Sequence, residues 1–252
     1  MKNRRLKWLA VAGALLASSA HAAGVPEDCR QLIVAIAPDA NSMHGRLQLF
    51  ERNGSAWGRT GDSWPVLFGK NGIAWGTGIA GQNEPGLRKH ERDGRAPAGI
   101  FRIGKIYTYD AQLPAGADYP FHQVTAADAW IDDVSSPDYN RFVMIADPAK
   151  PPPWFEKGKM RHNDFAYRWL VEIRHNSDPP VAGDGSAIFF HIRRGENRPT
   201  AGCTTMAEEN LVRLISWLRA PKHPSYVLLS AEEYRKRATE WHLPPSEIAL
   251  AK

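Results

Sequence analysis

Cysteine is scarce in this 252-residue chain, long apolar runs are missing beyond its first 22 residues, and its basic residues are mostly scattered among acids. Each shortage excludes something. With Cys29 and Cys203 as the only cysteines, at most one disulfide is possible, and a multiply bridged scaffold is ruled out. The stretch Trp8 to Ala17 is too short to span a bilayer core of ~30 Å, and no later segment approaches ~20 apolar residues, so no transmembrane segment is expected in the mature chain. Lys2, Arg4, Arg5 and Lys7 precede that stretch and Ala20-His21-Ala22 follows it. This order reads as an export signal over residues 1–22, with one domain over 23–252 and a location in the periplasm or cell envelope. The formal charge of +5 includes those four basic residues and no acid from the leader, so the mature chain carries only +1. Nucleic acid is therefore not an expected partner. No solenoid-length repeat and no low-complexity tract interrupts the chain.

Many short strands with two late helices are expected, a mainly β chain. Gln31 to Ala37, Leu47 to Phe50, Gly99 to Gly104, Tyr167 to Arg174 and Tyr226 to Leu229 read as strands. Trp57 to Gly81, rich in Gly and Trp, reads as short strands and tight turns, and Asn83 to Ala98 as an exposed loop bordering a cleft. Lys150-Pro-Pro-Pro-Trp154 opens an insertion running to Asn163. Ser230 with Glu233 opens a C-terminal helix through about Trp241. His90, Glu91 and Asp93 resemble a metal cluster, yet no second ligand group stands at helical or hairpin spacing from them. No metal and no organic cofactor is expected.

The chemistry concentrates between residues 186 and 205. The apolar run Ala187 to Phe190 predicts a buried strand that carries His191 at its end. A polar loop, Arg193 to Pro199, returns the chain to Thr200-Ala-Gly-Cys203, 12 residues after the histidine. Thr205 and Glu208 stand at capping-box spacing, and Leu211, Leu214, Ile215 and Leu218 share a helical face, which predicts a helix over about 206–218 with Cys203 at its N-terminus. That placement would stabilise a thiolate, with His191 as proton acceptor. Gly202 would admit substrate close to the backbone, and N–H groups around Cys203 would form an oxyanion site. A free Cys203 requires that Cys29 not pair with it. Arg193 and Arg194 are candidate contacts for a substrate carboxylate, and Asp132 and Asp133 for its ammonium; the bland alternatives are a solvated loop and an exposed turn.

The stretch Thr200-Ala-Gly-Cys203-Thr-Thr205, with His191 upstream, resembles the Ser/Thr-x-Gly-Cys motif of the YkuD-type L,D-transpeptidases. The resemblance extends to Arg95-Ala-Pro-Ala-Gly-Ile-Phe101, Trp130-Ile-Asp-Asp133 and Tyr139-Asn140. At Ile192 and Thr205 this chain departs from a common pattern of Gly after the histidine and Arg two residues after the cysteine. The resemblance implies a β-sandwich of mixed sheets and a thioester on Cys203, with Gly202, Thr204, Thr205 and Ile192 around substrate and oxyanion. It also implies peptidoglycan stem peptides as partner and no cofactor. A carboxypeptidase or amidase using the same dyad, and a non-catalytic wall-binding module, are the alternatives. Nothing in the sequence speaks to oligomeric state.

Overall fold

A computed structural model describes residues 24–247; the expected leader, residues 1–22, lies outside the described residues. The strands in chain order are β1 (Gln31–Ala37), β2 (His44–Asn53), β3 (Ala56–Leu67), β4 (Ile73–Trp75), β5 (Ala96–Thr108), β6 (Phe121–Gln123), β7 (Asp128–Trp130), β8 (Phe142–Met144), β9 (Trp169–Ile173), β10 (Phe189–Ile192), β11 (Thr204–Met206) and β12 (Ser225–Ser230). Three helices accompany them: the single turn α1 (Phe155–Gly158), α2 (Glu208–Trp217) and α3 (Ala231–Arg237). The chain is mainly β, as its composition and patterning predict.

The principal sheet runs β12-β1-β2-β3-β11-β10-β9-β5, and β12 pairs back onto β5. The result is a barrel-like closure of mixed pairing, compatible with a sandwich-type fold, whose interior holds Ile33, Phe50, Phe101, Phe190, Leu214 and Tyr226. β5 makes the closure possible by its length. Gly99–Arg102 pair with β12, Ile103–Thr108 pair with β9 across a register shift, and Ala96–Ala98 pair with β4. β7 and β8 form a separate ribbon.

The structure refines the expected elements unevenly. β2 and β3 form one long hairpin, because the Gly- and Trp-rich stretch continues a ladder from Asn53/Ala56 to His44/Leu67. β5 starts three residues before the expected Gly99. The loop ahead of it is less exposed than expected: Lys89 is buried, with its Nζ donating to Asp93 at 2.6 Å and to the His90 carbonyl at 2.5 Å. α3 begins as its sequence indicates, with the Ser230 hydroxyl accepting from the Glu233 N–H at 3.2 Å, and ends at Arg237, short of Trp241. The expected helix start beside Cys203 is wrong. Residues Thr204–Met206 are strand β11, the N-cap of α2 is Ala207, and no side chain caps it. Thr205 Oγ1, assigned to a capping box, is buried with no hydrogen-bond partner.

Candidate active site

Strand parity decides which of the expected residues meet. β10 and β11 run parallel, pairing Phe190 with Thr204, His191 with Thr205 and Ile192 with Met206. Side chains alternate between the faces of a strand, so Phe190, Ile192, Thr204 and Met206 face one way. Phe190, Ile192 and Met206 accordingly lie in the main core, and Thr204 Oγ1 bonds the Tyr226 hydroxyl at 2.9 Å. His191 and Thr205 face the other way. Cys203, two residues before Thr205, shares that face and stands diagonally across from His191. Cys203, His191, Thr205 and Gly202 all line a cavity of about 500 Å³, together with Asp132 and Arg194.

The same parity removes two expected contacts: Ile192 and Thr204 send their side chains into the core. Ile192 still contributes, through its carbonyl. His191 Nδ1 lies 2.9 Å from the Ile192 oxygen, and since a carbonyl only accepts, Nδ1 carries the proton and Nε2 keeps the lone pair. Tyr167 meets the imidazole edge-on, with centroids 5.1 Å apart, and the Arg194 guanidinium lies 4.9 Å over the Tyr167 ring. Arg194 is in turn ion-paired with Asp164, which accepts from the Ala166 N–H at 3.0 Å and so caps the short turn Phe165–Tyr167. Burial pushes the Asp164 carboxyl up, but Arg194 and that N–H outweigh it and hold it below the usual carboxylate range. Arg194 therefore supports the histidine's neighbour. Arg193 does not line the cavity; its nearest acid is Glu196, at 3.8 Å.

The cysteine sits in an apolar setting. It packs against a buried apolar cluster of Tyr107, Val124, Met160, Leu170 and Phe189. Its thiol donates to the Ala187 carbonyl, with Sγ to O at 3.6 Å. Burial raises its pKa from 9.0 to about 11, against the opposing effects of a Phe189 backbone hydrogen bond and the Lys89 charge. Burial likewise lowers His191 from 6.5 to about 4, against the Ile192 and Ala166 carbonyls. The resting pair is thus a neutral thiol beside a neutral imidazole. The expected helix terminus at Cys203 is absent because the helix begins beyond β11.

Gly202 is needed for a different close approach than expected: a Cβ there would lie 3.0 Å from the Arg95 carbonyl and 3.2 Å from Ile188. Its N–H is already engaged, donating to Thr200 Oγ1 at 3.0 Å, while that hydroxyl donates to the Cys203 carbonyl at 2.7 Å. The loop is tied to the end of β3 by Lys70 N–H to Thr200 O and Thr200 N–H to Phe68 O. Asp133 points elsewhere, to Ser135, whose N–H and hydroxyl hold its carboxyl below the usual range. The two cysteines are free thiols; Cys29 is buried and donates to the Gln31 carbonyl at 3.1 Å.

Two groups were given no role at this site by the sequence reading, Glu91 having been weighed only as part of a metal cluster. Glu91, from the long loop, lines the cavity and accepts from the Tyr139 hydroxyl and, at 2.7 Å, from Ser186. Asn140 was visible only as part of a motif, and its partners lie at residues 130, 175, 176 and 187. A larger cleft of about 950 Å³, between Ser55–Trp57 and Tyr234–Ser246, is lined by no cysteine. Size alone does not mark the site.

Fold and site together define a mainly β domain with a histidine on β10 and a cysteine just ahead of β11 lining one cavity. The family model for the L,D-transpeptidase catalytic domain (YkuD) matches residues 41–227, and the chain belongs to that family. No curated protein and no solved structure gives a match.

Proposed function

We propose that the protein is an exported cysteine acyltransferase acting on peptidoglycan stem peptides, with Cys203 as nucleophile and His191 as general base. The observation that carries this reading is the shared face: both side chains open on one cavity, and the Ile192 carbonyl fixes the imidazole tautomer that leaves Nε2 free of its proton. His191 takes the thiol proton as Sγ attacks the scissile carbonyl. The leaving amine receives that proton, and a thioester remains on Cys203. An incoming amine, deprotonated by the same imidazole, then releases the enzyme by forming the new amide. Asp132, which lines the cavity, offers a carboxylate to the ammonium of that acceptor; Asp133 is turned away from it.

The alternative product, from water in place of the amine, is decided by access to the thioester. The test is mass spectrometry of a purified stem tetrapeptide incubated with residues 23–252. A crosslinked dimer and an acyl-enzyme mass are expected from the wild type and neither from Cys203→Ala. Tripeptide as sole product at every substrate concentration identifies a carboxypeptidase, and turnover by Cys203→Ala at the wild-type rate sinks the cysteine mechanism.

A further inference from the structure

Ala187 has φ +55°, left-handed backbone that a non-glycine residue adopts at a cost of ~1 kcal/mol or more. It is also the residue whose carbonyl accepts from the Cys203 thiol. A buried side chain anchors it there, between the bonds of Gly185 to Tyr139 and of Ile188 to Ile173. Asn140 Oδ1 accepts from the Ala187 N–H at 3.0 Å and from Trp130 Nε1–H at 2.9 Å, while Nδ2 donates to the carbonyls of His175 at 3.0 Å and Asn176 at 2.6 Å. All four hydrogen-bonding positions of this carboxamide are filled, and the residue is 5% exposed. His175 is itself locked, with Thr77 N–H donating to Nδ1 and Nε2 bonded to the Asp184 carbonyl. Asn176 staples the same loop through Val181 and Gly185. The clamp is therefore rigid on the side away from Ala187.

We propose that Asn140 is a positioning residue for the nucleophile: it holds Ala187 in the left-handed conformation so that its carbonyl fixes the Cys203 thiol in one orientation, protonated, until substrate arrives. This rests on and deepens the acyl-transfer reading, because it adds to burial a directed hydrogen bond that holds the resting thiol. A carbonyl acceptor stabilises S–H and not S⁻, so release of the clamp frees the sulfur to ionise at lower pH.

The charged groups around the thiol come from several elements. The long loop supplies Lys89, Glu91 and Arg92, and the β7–β8 turn supplies Asp132. His191, Arg194 and Arg198 come from β10 and its following loop, and Tyr167 from the turn before β9. Asn140→Ala changes none of these charges, whereas Asn140→Asp adds a carboxylate that itself opposes ionisation of the thiol.

The experiment measures the rate of alkylation of Cys203 by iodoacetamide against pH, in a Cys29→Ser background. Asn140→Ala is expected to move the thiol midpoint down by roughly half a unit to one unit, the worth of one hydrogen bond. Asn140→Asp keeps the oxygen that accepts from Ala187 while losing both donors, so its midpoint is expected not to fall even where its stability does. An unmoved midpoint in Asn140→Ala, or an equal fall in both variants, overturns the proposal, since general loosening would act on both alike. If Asn140→Ala does not fold, the infrared S–H stretch of the Cys29→Ser protein decides. A band lowered by hydrogen bonding is expected, and a free-thiol frequency or no S–H band overturns it. Neither readout requires turnover, so a hydrogen-bonded thiol in an inert protein would sink the acyl-transfer reading and leave this one standing.

Discussion

The neutral resting pair makes a quantitative prediction for the uncatalysed chemistry of Cys203. With the thiol at about 11 and the imidazole at about 4, the thiolate–imidazolium state is disfavoured by a pKa gap of about seven, on the order of 10 kcal/mol at 1.36 per unit before the attraction of the two charges is counted. Proton transfer then belongs to the attack itself. A thiol at about 11 in place of 9.0 carries ~100-fold less thiolate near neutrality; water reaching the half-buried sulfur trims that penalty, so a lag of ~10- to 100-fold behind an ordinary thiol is expected. The assay is iodoacetamide alkylation of Cys29→Ser protein from pH 5 to 10, with intact mass as readout. The rate should climb about tenfold per pH unit throughout, without a plateau at acid pH. The base should be lost only as pH falls towards 4, because His191 has its proton-free form above that value. A flat, fast alkylation rate between pH 5 and 8 would show a preformed ion pair and refute the reasoning.

Replacing His191 by Ala removes the proton acceptor and should lower turnover by roughly 10² to 10⁴ near neutral pH, with partial recovery at alkaline pH; a loss below threefold would point to another base. Asp132→Asn should lower the ratio of crosslinked dimer to tripeptide, measured by chromatography, whereas Asp133→Asn, whose carboxylate is spent on Ser135, should leave it unchanged. Cys29→Ser should leave activity unaltered under both reducing and oxidising conditions, since the two thiols are separate; oxidant-sensitive loss confined to the wild type would reveal a bridge.

Much of the scaffold was legible because it rests on local patterning. The apolar run Leu32–Ala37 of β1 and the Ser230–Glu233 cap of α3 are signals carried within a few residues. The stretch Ala187–Phe190 gave away the strand that holds His191 for the same reason, although β10 starts only at Phe189 and Ala187 lies in left-handed backbone ahead of it. The Thr205–Glu208 spacing misled because a capping box and a three-residue strand look alike locally. What decided between them was pairing of Thr204–Met206 with β10 and of Thr205 with Leu67 in β3, a tertiary contact that overrides local preference. Once the parallel register is known, the division of the motif into Cys203 and Thr205 on one face and Thr204 on the other follows at once. The links of Asn140 to residues 175, 176 and 187, of Glu91 to Tyr139 and Ser186, and of Asp164 to Arg194 stayed hidden because each spans 30 or more positions, and no spacing rule reports such a link.

The last seam of the sheet to become available is the one between β1 and β12, where Leu32 pairs with Ser225, and β12 also lies against β5. A chain shortened before residue 225 would leave two raw strand edges, on β1 and on β5. Both would present unpaired N–H and C=O groups to any neighbouring chain. The closing strand is thus a plug as much as a support. A premature stop or a proteolytic cut ahead of it would turn a self-contained molecule into one with two templates for aggregation, although every residue of the Cys203 motif would still be present.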